Sequence, residues 1–170
     1  MKIREMMSTP AVTCRVSDCL NTAAQRMWEN DCGAVPVTDD EGKLVGIVTD
    51  RDICMAAYTR GATLHSIAVS DAMASNVFSC QADDSLDAVE QLMSAHQIRR
   101  VPVVDRDNHP IGIVSLNDIA RSAASSRKKN GLDRELVQTL AAIGQPRPQS
   151  TQEGSSPVSA SSQQRSAAMS

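Results

Sequence analysis

Aromatic residues are nearly absent: Trp28, Tyr58 and Phe78 are the whole complement of a 170-residue chain. Single-stranded nucleic acid is held by stacking bases on several rings, so that function is not expected. Positive charge is not in excess either. A net charge of −3 and a pI near 5.6 argue against the basic face of a nucleic-acid binder. No apolar run approaches the length needed to cross a bilayer, and residues 1–5 lead into no signal-peptide core. A cytoplasmic protein with no membrane partner is the expectation. The five cysteines are an odd number without CxxC spacing, which favours unpaired thiols over a disulfide framework or a zinc site. His65, His96 and His109 fall in separate segments. No phosphate-cradling glycine-rich loop, nucleophile elbow or metal signature occurs, so neither a metal, a prosthetic group nor an enzyme activity is expected.

What the chain does have is a duplication. A shift of 66 residues, with no gap, lays Met7 on Met73, Leu20 on Leu86 and Val35-Pro36-Val37 on Val101-Pro102-Val103. The same shift lays Gly46-Ile47-Val48 on Gly112-Ile113-Val114 and Asp52-Ile53 on Asp118-Ile119. Matching copies bury matching surfaces, so they are expected to pack face to face about a pseudo-twofold axis. The groove between them is then the first place to seek a function.

Each copy reads strand, helix, strand, strand, helix, an α+β pattern. In the first, a strand over 11–14 precedes a helix capped by Ser17 or Asp18, with Leu20, Ala23, Ala24, Met27 and Trp28 on one stripe. Gly33 is expected to end that helix in a left-handed conformation. Strands over 34–38 and 43–48 flank a turn at 39–42, and a second helix runs to about Tyr58. The second copy repeats this order, with strands over 77–80, 100–104 and 110–114 and helices over 84–96 and 115–125. Glu90 and Ser94 replace Ala24 and Trp28 there, so the copies meet different surroundings. Pro36 and Pro102 each remove a backbone donor, which predicts an edge, a strand start or a bulge. Cys14 and Cys80 are expected to be buried filler. Met6, Met7, Met73 and Met93 are expected in the core or the seam. The resulting division is repeat 1 over 1–62, repeat 2 over 63–126, a linker and short helix over 127–144, and a Ser-, Gln- and Pro-rich disordered tail over 145–170.

Both copies carry Gly-Ile-Val-(Thr/Ser)-x-x-Asp, at 46–52 and 112–118. A strand running into a helix places free amide donors at a positive dipole end, where a phosphate fits. Thr49 or Ser115 adds a hydroxyl, and Asp52 or Asp118, one turn on, can accept from both hydroxyls of a ribose. The same spacing is a capping box, which stabilises helices without any ligand. Its appearance twice, at equivalent places, favours the ligand.

These motifs resemble the tandem CBS domains first noted in cystathionine beta-synthase. Arg100-Val101-Pro102-Val103-Val104-Asp105 with Ser115-Leu116-Asn117-Asp118-Ile119 is similar to the repeats of the gamma subunit of AMP-activated protein kinase. Thr49-Asp50-Arg51-Asp52-Ile53 resembles small stand-alone bacterial members, and the likeness to IMP dehydrogenase extends only to that enzyme's accessory repeats. The resemblance, over about 3–123, implies a mixed three-stranded sheet with helices in each copy. It also implies modules that pair into a disc, and adenosyl ligands such as AMP, ADP, ATP, S-adenosylmethionine or cyclic di-AMP in the clefts. Thr49, Asp52, Ser115 and Asp118 fall on the family's phosphate and ribose positions. Ala34-Val35 and Arg100-Val101 fall where the second strand borders base and phosphate.

The copies differ at that border. Arg99-Arg100 supplies charge in the second copy where Gly33-Ala34 supplies none in the first, so the cleft around Ser115 and Asp118 is expected to be the stronger. Arg51 could compensate in part in the first copy. The expected function is a regulatory module that senses an adenine nucleotide (AMP, ADP or ATP) and signals to a separate protein, as a homodimer. The alternative is a structural dimerisation or adaptor module with unoccupied clefts. A redox sensor acting through Cys32 or Cys19 is a third reading.

Overall fold

A computed structural model describes residues 1–125 together with Thr139 and Leu140. Apart from these last two, which are helical, the region expected as linker and helix over 127–144 lies outside the described residues, as does the tail over 145–170.

The first copy runs β1 (Cys14–Arg15), α1 (Leu20–Glu29), β2 (Ala34–Thr38), β3 (Leu44–Thr49) and α2 (Asp50–Arg60). The second runs β4 (Cys80–Gln81), α3 (Leu86–His96), β5 (Arg100–Val104), β6 (Pro110–Ser115) and α4 (Leu116–Ser125). Each copy forms a mixed three-stranded sheet, ordered β1-β2-β3 or β4-β5-β6. The first pair in each is parallel and needs the crossover helix; the second is an antiparallel hairpin. Ala34 pairs with Thr49 and Arg100 with Ser115, so the start of each central strand lies beside the strand-to-helix corner.

The first strand of each copy is shorter and later than the pattern over 11–14 and 77–80 suggests. Ala11 donates its N–H to Ile111 O, 3.2 Å away on the other copy's sheet, so that stretch crosses the seam instead of pairing at home. Neither Ser17 nor Asp18 caps α1. Cys19 is the cap residue, and Asp18 Oδ2 instead closes the preceding turn by accepting from Arg15 N at 2.8 Å. Asp84 does the same for Gln81 N at 2.8 Å. The left-handed residue after α1 is Asp31, with φ 48°, not Gly33. Trp28 also departs from the expected stripe: Leu20, Ala23 and Met27 are buried, whereas Trp28 is 88% exposed. Pro36 and Pro102 precede the two residues over which β1 and β4 pair, so on that side each central strand is still an edge.

The leading segments are exchanged between the copies. Residues 1–8 belong to the second copy: Ile3 N donates to Asp84 O and Leu86 N to Met1 O, both at 3.1 Å, and Ser8 bridges Ile113. Ile3 is fully buried in the second core, with Leu86, Val89, Met93, Val101 and Ile119. In mirror fashion, Val69 N donates to Asp18 O at 2.8 Å, Ala74 bridges Ile47, and Ile67 and Val69 are buried in the first core. This exchange accounts for the paired glycines. A Cβ at Gly112 would stand 2.8 Å from Ser8 O and 3.1 Å from Met7 Sδ; one at Gly46 would stand 2.7 Å from Met73 Sδ and 3.1 Å from Ala74 O. At the far end of the seam the hairpin turns clip together, with Leu44 N donating to Asn108 O at 2.9 Å and Asn108 Nδ2 to Leu44 O at 3.1 Å.

Candidate ligand-binding site

The corner between β6 and α4 is built by a reciprocal cap. Asp118 N donates to Ser115 Oγ at 3.2 Å, while Ser115 N and Oγ donate to Asp118 Oδ2 at 2.8 and 2.5 Å. The corner between β3 and α2 is the same, with Thr49 N and Oγ1 donating to Asp52 Oδ2 at 2.9 and 2.6 Å. The capping box is therefore real in both copies, and it also aims each carboxylate. One oxygen is tied down and the other, Oδ1, is presented outward. The two differ there: Asp118 is 5% exposed and its Oδ1 pairs with the Arg121 guanidinium, whereas Asp52 is half-buried. Asp52 Oδ1 has no hydrogen bond or ion pair among the described residues.

A cleft of about 530 Å³ opens at the Ser115 corner and draws on both copies. From the second copy come Arg100, Ser115, Asn117, Asp118 and Arg121; from the first come Cys32, Gly33, Ala34 and Pro36. The crossing segment closes one side with Thr9, Pro10 and Val12. Buried carboxylate, hydroxyl, guanidinium and apolar wall thus meet in one hollow, the usual composition of a small-molecule site.

Of the residues anticipated from sequence, Ser115, Asn117, Asp118, Arg100 and Ala34 line this cleft. Val35 and Val101 are fully buried in the two cores, so their side chains do not reach it. Thr49 and Asp52 occupy the pseudo-equivalent corner. Arg51 and Arg99 are exposed; the Arg99 carbonyl accepts from Leu116 N at 2.9 Å and helps to start α4. The Arg100 side chain makes no hydrogen bond or ion pair among the described residues, while its backbone pairs with Ser115 in the β5–β6 ladder. A Cβ at Gly33 would come within 2.7 Å of Arg100 Nη2 and 2.9 Å of Asp50 Oδ2, so Gly33 reserves space for that guanidinium.

Sequence reading missed Arg121 and the crossing segment. The signal for Arg121 was present, since its counterpart in the first copy is Met55. The crossing of residues 8–12 leaves no local pattern to read.

Elsewhere, a groove of about 570 Å³ beside α1 and α2 is lined by Ala24, Met27, Trp28 and Ile53, with Arg100 at its end. It contains no hydroxyl–carboxylate pair. Asp105, Asp107 and His109 bring donor atoms within 4.8 Å of one another. Asp105 Oδ1 already accepts from Asp107 N at 3.0 Å and His109 N at 2.8 Å, which pulls its pKa down and makes it a turn cap. Burial pushes the Cys14 thiol up to about 11 and the Cys80 thiol to about 12, as filler positions require. Cys19 is shifted down by its hydrogen bond with the Thr22 hydroxyl.

The family description for the CBS domain matches residues 3–58 and 69–125, most of the described chain. The chain belongs to the CBS domain family. An uncharacterised Bacillus subtilis (strain 168) protein, YlbB, is 37% identical over 131 residues, covering 75% of this chain and 85% of that one. The CBS domain pair of protein MJ0100, solved with 5′-methylthioadenosine and S-adenosyl-L-methionine, is 30% identical, with a TM-score of 0.65 over 72% of this chain and 98% of that one. CBSX2, solved with AMP, is 25% identical, with a TM-score of 0.62 over 72% of this chain and 96% of that one. A CBS pair is typically a ligand-binding regulatory module rather than a catalytic one. Among the described residues no helix is long and apolar enough to cross a membrane.

Proposed function

We propose that this CBS pair senses an adenine nucleotide of the AMP, ADP or ATP class in the Ser115–Asp118 cleft. The observation that carries this reading is the convergence of the buried Asp118 carboxylate, the Ser115 hydroxyl and the Arg100 and Arg121 guanidinium groups on a hollow shared by both copies. Asp118 reads the ribose, Ser115 and the α4 N-terminus meet phosphate, and Arg100 supplies paired donors and charge. Ala34, Pro36 and Val12 offer an apolar wall to the base. The adenosyl ligands of MJ0100 and the AMP of CBSX2 support the ligand class by analogy. The guanidinium groups favour an anionic nucleotide over a sulfonium. The Thr49–Asp52 corner, with Ala34 and Met55 where the second copy has Arg100 and Arg121, is the weaker site.

A ligand that touches both copies biases their packing by its differential affinity for the alternative arrangements, typically about 1–3 kcal/mol. The module acts as a cytoplasmic homodimer and passes that bias to a separate protein. The test is thermal unfolding with AMP, ADP and ATP. Ligand at a hundredfold its Kd stabilises by about 2.7 kcal/mol, a rise of roughly 5–10 °C for a chain this long. Asp118→Ala should abolish the rise. An unchanged melting temperature with all three nucleotides would favour the second reading, a structural dimerisation module. One feature supports that reading: both carboxylate oxygens of Asp118 already have protein partners, Ser115 and Arg121.

A further inference from the structure

We propose that Arg121 is the phosphate-specificity residue of the Ser115–Asp118 cleft, and that it works by exchange. Its guanidinium pairs with Asp118 Oδ1 in the structure; on binding, a ribose hydroxyl takes over that oxygen and the guanidinium turns to the nucleotide phosphate. This rests on the nucleotide reading above.

Three features carry it. The first is the division of labour at Asp118: among the described residues Oδ2 is held by Ser115 N and Oγ, and Oδ1 pairs with Arg121. Removing Arg121 therefore leaves the carboxylate anchored and the helix cap intact. The second is exposure: the Arg121 side chain is 75% exposed and that of Asp118 4%. The exposed guanidinium can leave without losing its own hydration, whereas the buried carboxylate needs a replacement donor, which the ribose hydroxyl supplies. The third is the duplication. Arg121 lines the cleft one helical turn after Asp118, and the residue one turn after Asp52 is Met55. A cation needed only to steady the fold would be expected at both corners. This one stands where Arg100 also stands, on the side of the seam already suited to an anion.

Exchange makes a prediction that simple charge attraction does not. Arg121 competes with the ribose and assists the phosphate, so it should penalise adenosine and reward AMP. The experiment is calorimetric titration of the full chain with AMP and with adenosine, for wild type, Arg121→Met and Arg121→Lys. Arg121→Met should weaken AMP by about ten- to a hundred-fold, leave adenosine unchanged or tighter, and flatten the salt dependence of AMP binding. Arg121→Lys should recover part of the AMP affinity. A wild-type AMP-to-adenosine ratio in Arg121→Met, or equal losses for both ligands, would overturn the proposal and leave the nucleotide reading standing. Wild type that binds neither ligand would overturn both. Thermal unfolding of the unliganded variants separates folding from recognition.

Discussion

Burial on one side of each sheet decides the chemistry of Cys14 and Cys80, which occupy repeat-equivalent places at the start of β1 and β4. Their thiols are pushed to about 11 and about 12, from an ordinary value of 9.0 that holds in the unfolded chain. A thiol harder to ionise when folded contributes stability that is complete below pH 9.0. That stability is lost as pH rises toward 11, because only the unfolded chain gains by deprotonation. Urea midpoints should therefore hold steady up to about pH 9 and fall above it. Alkylation at pH 8 should modify Cys19 and the exposed Cys54 while sparing Cys14 and Cys80. Native-state modification of Cys14 as fast as that of Cys54 would contradict this assignment.

The exchanged leading segments are the element on which the seam depends. Ile3 lies in the leading segment, outside both repeat-defining sheets, yet it is fully buried against α3 and the second sheet. Its segment also caps a helix it does not belong to, through Met1 O and Leu86 N. Ile3→Ala should cost about 2–4 kcal/mol, as for an interior isoleucine, and should loosen the second core before the first. Hydrogen exchange of the α3 and β5 amides reads this directly. A loss below about 0.5 kcal/mol would show that the terminus is not part of the core in solution.

At the scale of the molecule, the duplication is imperfect in a patterned way. The first copy exposes Trp28 and Tyr58, the latter at 79%, where the second carries Ser94 and Ala124. Rings of this size cover about 150–250 Å² each when buried. Four rings from two chains would supply on the order of 600 Å² toward a standard interface of about 1,600 Å². The homodimer proposed above should therefore pair first copy with first copy. Trp28 is the sole tryptophan, so its emission should shift to the blue as concentration rises through the dimer range. Trp28→Ser should raise the dimer dissociation constant by about tenfold or more in sedimentation equilibrium. A dimer that forms equally well with that substitution, or one in which Trp28 keeps its solvent-exposed emission, would exclude this face.

Duplication, the order of elements and both hydroxyl–carboxylate corners could be read from residue order alone, because each is a local pattern. The mostly apolar run at 34–38 and the capping spacing at Ser115 and Asp118 depend on neighbours a few bonds away. Tertiary structure alone decided which side of the seam each leading segment joined, why Gly46 and Gly112 must lack a side chain, and that Asp31 rather than Gly33 turns left-handed. It also brought Arg121 and Thr9 to one cleft and left Trp28 outside the core. Those outcomes come from contacts between segments dozens of residues apart. Their energies depend on which surfaces meet, and no run of adjacent residues encodes that meeting.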